Sequence, residues 1–533
     1  MLVVPEKEPR LGSSSARLVA TCGQLVAKAK EKGQGNCSPD LRFHGRDDWI
    51  RTSGLTVPNR ARYQTVPPVR ATHPSACGSI CKKASLEVKL LAEGGLAVLI
   101  IERPQYLEQL VSRRDNGRVK IITGIRRCGK SFLLFNLFRQ YLIDDGVAEE
   151  QIVEIALDEV RHARLRNPFE LDSYIRARVN DGSKRHYVLI DEIQFSTVEP
   201  NPYTSDPDDV ITFVDAVLGL QRLPNVDLYV TGSNSRMLSS DILTQFEDRG
   251  DEVRLRPLCF SEFLPACDDR DHALRDYLVF GGMPRILAEQ GVEDKSRYLK
   301  ELFSETYLRD VIDRNGIRGE RETLDTLLDF VASSVGSLTN PTKLSNRFKS
   351  ELRTSVGHST IDAYLGYFEE AFLLERVRRF DVKGGAYFKT PSKYYFADPG
   401  LRNARLNFRQ VDENHLIENV VYCELARRGF NVDVGVVPFS TWVDEDGARR
   451  KKTGQLEVDF VANQVSRRYY VQVALGVDDP GKYEQETGSL RRIGDSFRKV
   501  VVVRDDIVPW HDEHGVLFVG LERFLLDERA IDL

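Results

Sequence analysis

The stretch ITGIRRCGKSFLL, residues 121–133, constrains this chain more than any other. Gly124 and Gly129 bracket four residues, and Lys130 and Ser131 follow at once. Glycines at such points let backbone N–H groups turn inward around phosphate oxygens. The lysine brings a point charge to the outer phosphates of a nucleotide. The serine hydroxyl suits Mg2+, and the helix that opens there presents its positive end. The context agrees. VKIIT (119–123) is apolar enough for a buried strand, and Phe132, Phe135, Leu137 and Phe138 recur at helical spacing. Gly124, Ile125, Arg126, Arg127, Cys128, Gly129, Lys130 and Ser131 are therefore the candidate phosphate-binding residues.

Further strand ends supply candidate partners. YVLIDEIQ (187–194) is an apolar strand closing on Asp191 and Glu192. Asp191 would hold Mg2+ through water, and Glu192 would polarise an attacking water. In VTGSNS (230–235), Asn234, with Ser233 as the alternative, would position that water or sense the terminal phosphate. In FEDRGDEVRLRPL (246–258), Arg249 sits on a turn before the last strand. As an arginine finger it would reach a neighbouring subunit's nucleotide, which requires a homo-oligomer. Arg254 and Arg256 alternate along that strand and read as structural. With IVEIAL (152–157), these strands alternate with helical patterns, which implies a parallel sheet covered on both faces.

With 533 residues, and about 100–200 per domain, the chain has room for three or four domains. Its formal net charge of −5 gives no whole-molecule field toward nucleic acid or membrane. The eight cysteines are scattered without a CxxC pair, which suits reduced thiols and a cytoplasmic chain. A zinc site from His73, Cys77 and Cys81 is the minor alternative. No run approaches the ~20 apolar residues of a membrane span. Residues 1–95 lack sustained periodicity, and GRDDWIRTSGLTVPNRARYQTVPPVR (45–70) resembles the translation of a structural RNA gene. The expectation is a disordered or spurious extension, with the natural start near Val98 or Leu99.

After residue 260 the pattern turns helical, broken sharply at FGGMP (280–284). Residues 341–399 read helix, turn, helix and strand pair, with Ser359 and Thr360 capping the second helix and Gly384–Gly385 turning the hairpin. This segment resembles a winged helix. Its ten Lys and Arg against seven Asp and Glu leave only a small surplus for DNA, and Ile361, Tyr364, Leu365, Phe368 and Phe372 read as core. The last region resembles a restriction-endonuclease-like fold, with Glu418 on a helix, Asp459 on a strand and Gln472 on the next. An active version needs paired acids and a lysine two positions after the second acid. Gln472 stands for that acid and Ala474 for the lysine, so the expectation is a degenerate nuclease; Glu457 is an extra candidate ligand.

Taken together, IITGIRRCGKSFLL, YVLIDEIQ, YVTGSNSRMLSSDI, RGDEVRLRPLCFSEFL, GGMP, SLTNPTKLSNRFKS and LEVDFVA…YYVQVAL resemble the prokaryotic AAA+-type ATPases that carry a carboxy-terminal domain of unknown function, numbered 4143. The resemblance implies ATP and Mg2+ as cofactors, with Walker A at 124–131 and Walker B at 187–192. It implies an α/β P-loop NTPase fold, AAA+/ASCE-like, at 96–260. A helical lid (261–340), a winged-helix-like unit (341–400) and an endonuclease-like domain (401–533) would follow. The expected function is a Mg2+-dependent ATPase working as a conformational switch or small motor. An ATP-regulated DNA-binding or nuclease enzyme and a nucleotide-binding interaction protein without turnover are the alternatives. A DNA or protein partner would meet the last two domains.

Overall fold

The computed structural model describes residues 89–93, 96–232, 249–317, 319–409, 412–445 and 448–533. The candidate zinc residues, Ser233 and Asn234 lie outside them. Strand β1 (Lys89–Glu93) pairs antiparallel with β2 (Leu96–Ile100). Regular structure thus starts inside the stretch expected to lack it. The sequence signal was Gly94–Gly95 between two apolar runs, a hairpin cue.

Helix α1 (Pro104–Ser112) precedes a five-stranded sheet. Its strands are β3 (Val119–Thr123), β4 (Ile152–Ala156), β5 (His186–Asp191), β6 (Val226–Thr231) and β7 (Gly250–Arg254). All are parallel, in the order β4-β5-β6-β3-β7. Helices α2 (130–144), α3 (Pro168–Arg178) and α4 (Phe213–Gln221) connect them. Burial on both faces explains the unbroken apolar runs. Ile121, Val188, Ile190 and Val230 pack on one side, and Ile122, Leu189, Tyr229 and Val253 on the other.

The helical part contains α5 (Ala273–Phe280), α6 (291–314) and α7 (Arg321–Ser333). The break at FGGMP has a steric cause. A Cβ on Gly281 would lie 2.0 Å from the Asp398 carboxylate, and one on Gly282 would lie 2.0 Å from the Leu258 carbonyl. Asp398 accepts from the N–H of Gly282 at 2.6 Å and of Leu401 at 3.1 Å.

Helices α8 (Pro341–Glu351) and α9 (His358–Glu370) lead to β8 (Leu374–Asp381) and β9 (Tyr387–Phe396). The cap of α9 is Gly357; Ser359 and Thr360 fall inside its first turn. Then come α10 (Pro399–Arg405), α11 (Glu413–Arg427), β10 (Asn431–Glu445), β11 (Ala448–Gln464) and β12 (Arg467–Ala474). Helix α12 (Pro480–Arg491), β13 (Arg498–Val503), β14 (Trp510–His511), β15 (Leu517–Gly520) and α13 (Leu521–Leu526) complete the chain. One eight-stranded sheet runs β9-β8-β10-β11-β12-β13-β15-β14. The boundary drawn at residue 400 therefore falls within a single sheet. The β8–β9 hairpin forms one end of it, joined to the rest through the parallel pairing of β8 with β10 from Arg379↔Val434 to Asp381↔Val436.

One carboxylate joins the two sheets. Glu375 on β8 pairs with Arg256 at 2.5 Å and with Arg254 at 3.1 Å, and accepts from the Tyr422 hydroxyl at 2.7 Å. Burial alone would raise this carboxyl, but the two guanidiniums hold it well below the usual carboxylate range. A depressed folded value contributes stability above the unfolded value of about 4.5, and that stability is lost as pH falls below it. Glu375→Gln leaves buried guanidinium charge uncompensated, so urea denaturation at pH 7 should show a loss of roughly 3 kcal/mol. Between pH 5 and 3 the variant should lose less stability than the native chain.

Candidate functional site

The loop at 124–131 leaves the carboxyl end of β3 and enters α2. Two of its glycines carry left-handed backbone, Gly124 at φ +138° and Gly129 at φ +103°. Gly124 is also sterically required, because a Cβ there would sit 2.1 Å from the Leu255 carbonyl oxygen. Arg127 is left-handed too, at φ +65°. The Lys130 ammonium is 4% exposed and donates to the loop's own carbonyls, Gly124 at 2.9 Å and Ile125 at 3.1 Å. Cys128 is buried, which pushes its thiol up.

Other elements hold the loop from outside. Arg103, just before α1, donates to the Cys128 carbonyl at 3.3 Å, to the Arg256 carbonyl at 2.9 Å and to Glu262 at 2.8 Å. Tyr307 on α6 donates its hydroxyl to the Arg126 carbonyl at 2.9 Å, and Asp310 lies 3.6 Å from the Arg126 guanidinium. Arg127 lines a cavity of about 300 Å³ with Arg285, Arg297, Tyr298 and Thr306 from the helical part. The Tyr298 hydroxyl is buried without a partner among the described residues and is pushed up to about 12, chiefly by burial.

Asp191 ends β5, 4% exposed, beside the loop. Burial raises its carboxyl, opposed by hydrogen bonds from Ser131 and Thr231 and by the Lys130 charge. Glu192 follows in left-handed backbone at φ +55°. Its N–H donates to the Thr231 hydroxyl at 3.1 Å, and its carboxylate accepts from Gln194. Burial raises Glu192 as well, against the pull of Lys130. Lys130, Ser131, Asp191 and Glu192 thus converge. Thr231, at the end of β6, is a member that sequence reasoning passed over. It bridges the two acids, donating to Asp191 and accepting from Glu192. The stretch VTGS contained the signal, two residues before Ser233 and three before Asn234. Arg249 is not brought here. It precedes β7, whose first residue pairs with Val119, whereas the loop leaves the far end at Thr123↔Arg254.

A second cluster forms in the eight-stranded sheet. Glu418 on α11 with Glu457 and Asp459 on β11 surround Lys393 of β9, at 2.7, 2.8 and 3.5 Å from its ammonium. The Tyr395 hydroxyl donates to Glu418 at 2.5 Å, and the Val473 N–H to Asp459 at 3.0 Å. Burial and the Glu418 charge push Asp459 up to about 7, although Lys393 pulls the other way. Gln472 accepts from the Asp459 N–H at 3.3 Å and donates to Glu486 at 3.1 Å. An open cavity of about 700 Å³ reaches Glu418, Glu457, Asp459, Gln472, Arg491 and Arg492.

A phosphate-type loop on a parallel sheet, with an acid pair one strand beyond its neighbour, defines a P-loop domain of the AAA type, and the AAA domain family model matches residues 116–264. A domain of unknown function (DUF8612) matches residues 271–412, which assigns no activity to that segment; the expected domain numbered 4143 is not the one matched. The chain belongs to the family of an uncharacterized protein of Haemophilus influenzae, to which it is 32% identical over 410 residues, 76% of this chain and 93% of that one. An uncharacterized protein of Methanocaldococcus jannaschii is 26% identical over 78% of this chain and 85% of its own length. Among solved structures, a Walker-type ATPase of Pyrococcus abyssi aligns at 16% identity and TM-score 0.40, covering 58% of this chain and 96% of that one. No helix of the described residues is long and apolar enough to cross a membrane.

The two loop glycines differ in a measurable way. Gly124→Ala meets the Leu255 carbonyl at 2.1 Å, whereas a Cβ on Gly129 finds nothing nearer than 4.0 Å. Gly129→Ala should cost only its backbone strain, on the order of 1–2 kcal/mol, and Gly124→Ala distinctly more. Urea denaturation of both variants gives the comparison.

Proposed function

We propose that the chain is a Mg2+-dependent ATPase in which the loop 124–131 binds ATP and Asp191 and Glu192 serve its hydrolysis. The observation that carries this is the convergence of Lys130, Ser131, Asp191 and Glu192 at the carboxyl ends of β3 and β5. The residues fit the cofactor. A buried ammonium that donates to loop carbonyls can turn to phosphate oxygens, and the Ser131–Asp191 pair offers hard oxygen donors of the kind Mg2+ takes. Bound Mg2+ would neutralise charge developing on the phosphates. Lys130 and the loop N–H groups would orient the nucleotide, Ser131 and Asp191 would hold the metal, and Glu192 would accept the proton of the attacking water. Its upward-shifted carboxyl suits a base better than a fully solvated one would. Thr231 would keep both acids in register. Tyr307 and Asp310 give the helical part a direct hold on Arg126, which supports a switch or small motor.

A second reading has its own support. The carboxy-terminal cluster lacks a lysine at Ala474, but Lys393 delivers an ammonium to the same carboxylates from β9. This favours a phosphodiester-cleaving site over a degenerate one, with Lys393 as the positive charge beside the scissile phosphate.

Calorimetry with Mg2+-ATP should show binding to the native chain and to Glu192→Gln but none to Lys130→Ala. Phosphate release should fall by about 10²-fold or more in Glu192→Gln. Binding without release in the native chain would reduce the protein to a nucleotide-dependent interaction module. Plasmid nicking with Mn2+, abolished by both Asp459→Ala and Lys393→Met, is the outcome expected of the second reading.

A further inference from the structure

Beyond their sheet pairings, β10 and β11 run on as a two-stranded ribbon. The last residue of β10 paired to β8 is Val436, and β11 meets β12 only from Phe460 onward. Between these points the described residues of the two strands pair with each other, from Phe439↔Gly454 to Glu445↔Ala448. Phe439 to Glu445 alone extend roughly 23 Å at about 3.3 Å per residue.

This ribbon and the neighbouring hairpin are basic in a chain whose formal net charge is −5. Residues 374–393 and 439–455 hold ten Lys and Arg against five Asp and Glu. Arg378, Lys383, Lys389, Lys451 and Lys452 are exposed. Lys383 donates to the Pro438 carbonyl at 3.0 Å, which brings the β8–β9 turn against the root of the ribbon. Arg492 lies 5.1 Å from the Phe439 ring. An open groove of about 760 Å³ runs between them, floored by Phe439, Thr453 and Gln455. Large aromatics stand among the cations, with Trp442 58% and Tyr387 52% exposed. Arg492 lines this groove and also the cavity over Glu418 and Asp459.

We propose that this ribbon and hairpin form a binding surface for duplex DNA. Lys383, Lys389, Lys451, Lys452 and Arg492 take backbone phosphates, and the ribbon lies along the major groove. A B-form major groove is about 12 Å wide and admits a two-stranded β-ribbon, whereas the A-form groove of RNA is too narrow. The contact therefore falls on strands. Helix α9, the second helix of the segment expected to be winged-helix-like, buries Ile361, Tyr364, Leu365 and Phe368 instead. The inference rests on the charge and shape of this surface and is independent of ATP turnover. It names a substrate class for the second reading above.

The test is fluorescence anisotropy of the full chain with a labelled mixed-sequence duplex of about 30 base pairs, at several salt concentrations. The expected result is binding that weakens steeply with salt, each phosphate contact adding about 0.9 to the log–log slope. Lys383→Ala/Lys451→Ala/Lys452→Ala should weaken binding at least tenfold and reduce the slope by about 3, with an unchanged melting temperature. The control Arg275→Ala/Lys349→Ala removes exposed cations elsewhere and should leave binding as it was. No binding, equal losses in both variants, or equal affinity for duplex RNA or single strands would overturn the proposal. Because the readout is affinity without nucleotide or metal, neither a failed ATPase nor a failed nicking assay can produce any of these results.

Discussion

Glu375 is where the two halves of the described chain meet. A carboxylate nine-tenths buried is costly unless its charge is matched, and here two arginines from the end of the loop-bearing sheet match it. Arg256 directly follows Leu255, whose carbonyl presses on Gly124, and the Arg256 carbonyl accepts from Arg103, which also grips the loop at Cys128. On the other side, Tyr422 donates to Glu375 and stacks on Tyr395 at 4.5 Å, and Tyr395 donates to Glu418 beside Lys393. The phosphate-type loop and the Lys393 cluster are thus the two ends of one buried polar chain.

Such a chain makes rearrangement at either end discrete. A guanidinium, a carboxylate and two stacked phenols in a dense interior cannot shift by small amounts without leaving a donor unsatisfied. Movement of the loop that pulls on Leu255 or Arg256 must either be absorbed within the first sheet or be carried to β8. The β8–β9 hairpin is placed to carry it, since Glu375 pairs with Tyr395 and Val377 with Lys393 in its register. The strand that receives the arginines is also the one whose partner supplies the ammonium.

What could be read from the sequence was whatever the chemistry packs into a short run. The loop, Asp191 and Glu192 each sit in a stretch of under ten residues whose strand context is visible, so spacing alone brought them together. Two residues of these clusters were missed, for different reasons. Lys393 lies 25 positions before Glu418, on a strand that local pattern assigned to a different unit, and the packing of α11 on β9, fixed by Asn419 against the Phe396 backbone, makes them neighbours. Thr231 was missed for a milder reason, since a threonine at a strand end is common and its role appears only when β5 and β6 are laid side by side. Arg249, read as reaching a neighbouring subunit's nucleotide, stands at the amino end of β7, away from the loop of its own chain.

The cluster around Lys393 sets a final constraint. Three carboxylates face one ammonium, so the site carries excess negative charge when all are ionised, and Asp459, pushed up to about 7, is where that excess is relieved by a proton. A raised folded value means that the fold favours protonated Asp459. Its stabilising contribution is complete below the unfolded value near 4 and disappears as pH rises through 7. A phosphodiester led along the cationic groove would meet this excess charge at the Arg492 end. It could approach Lys393 only where a proton or a metal ion cancels the carboxylates. On one polyanion the basic ribbon and the acid cluster would therefore make opposite demands, attraction over the groove and compensation at the carboxylates.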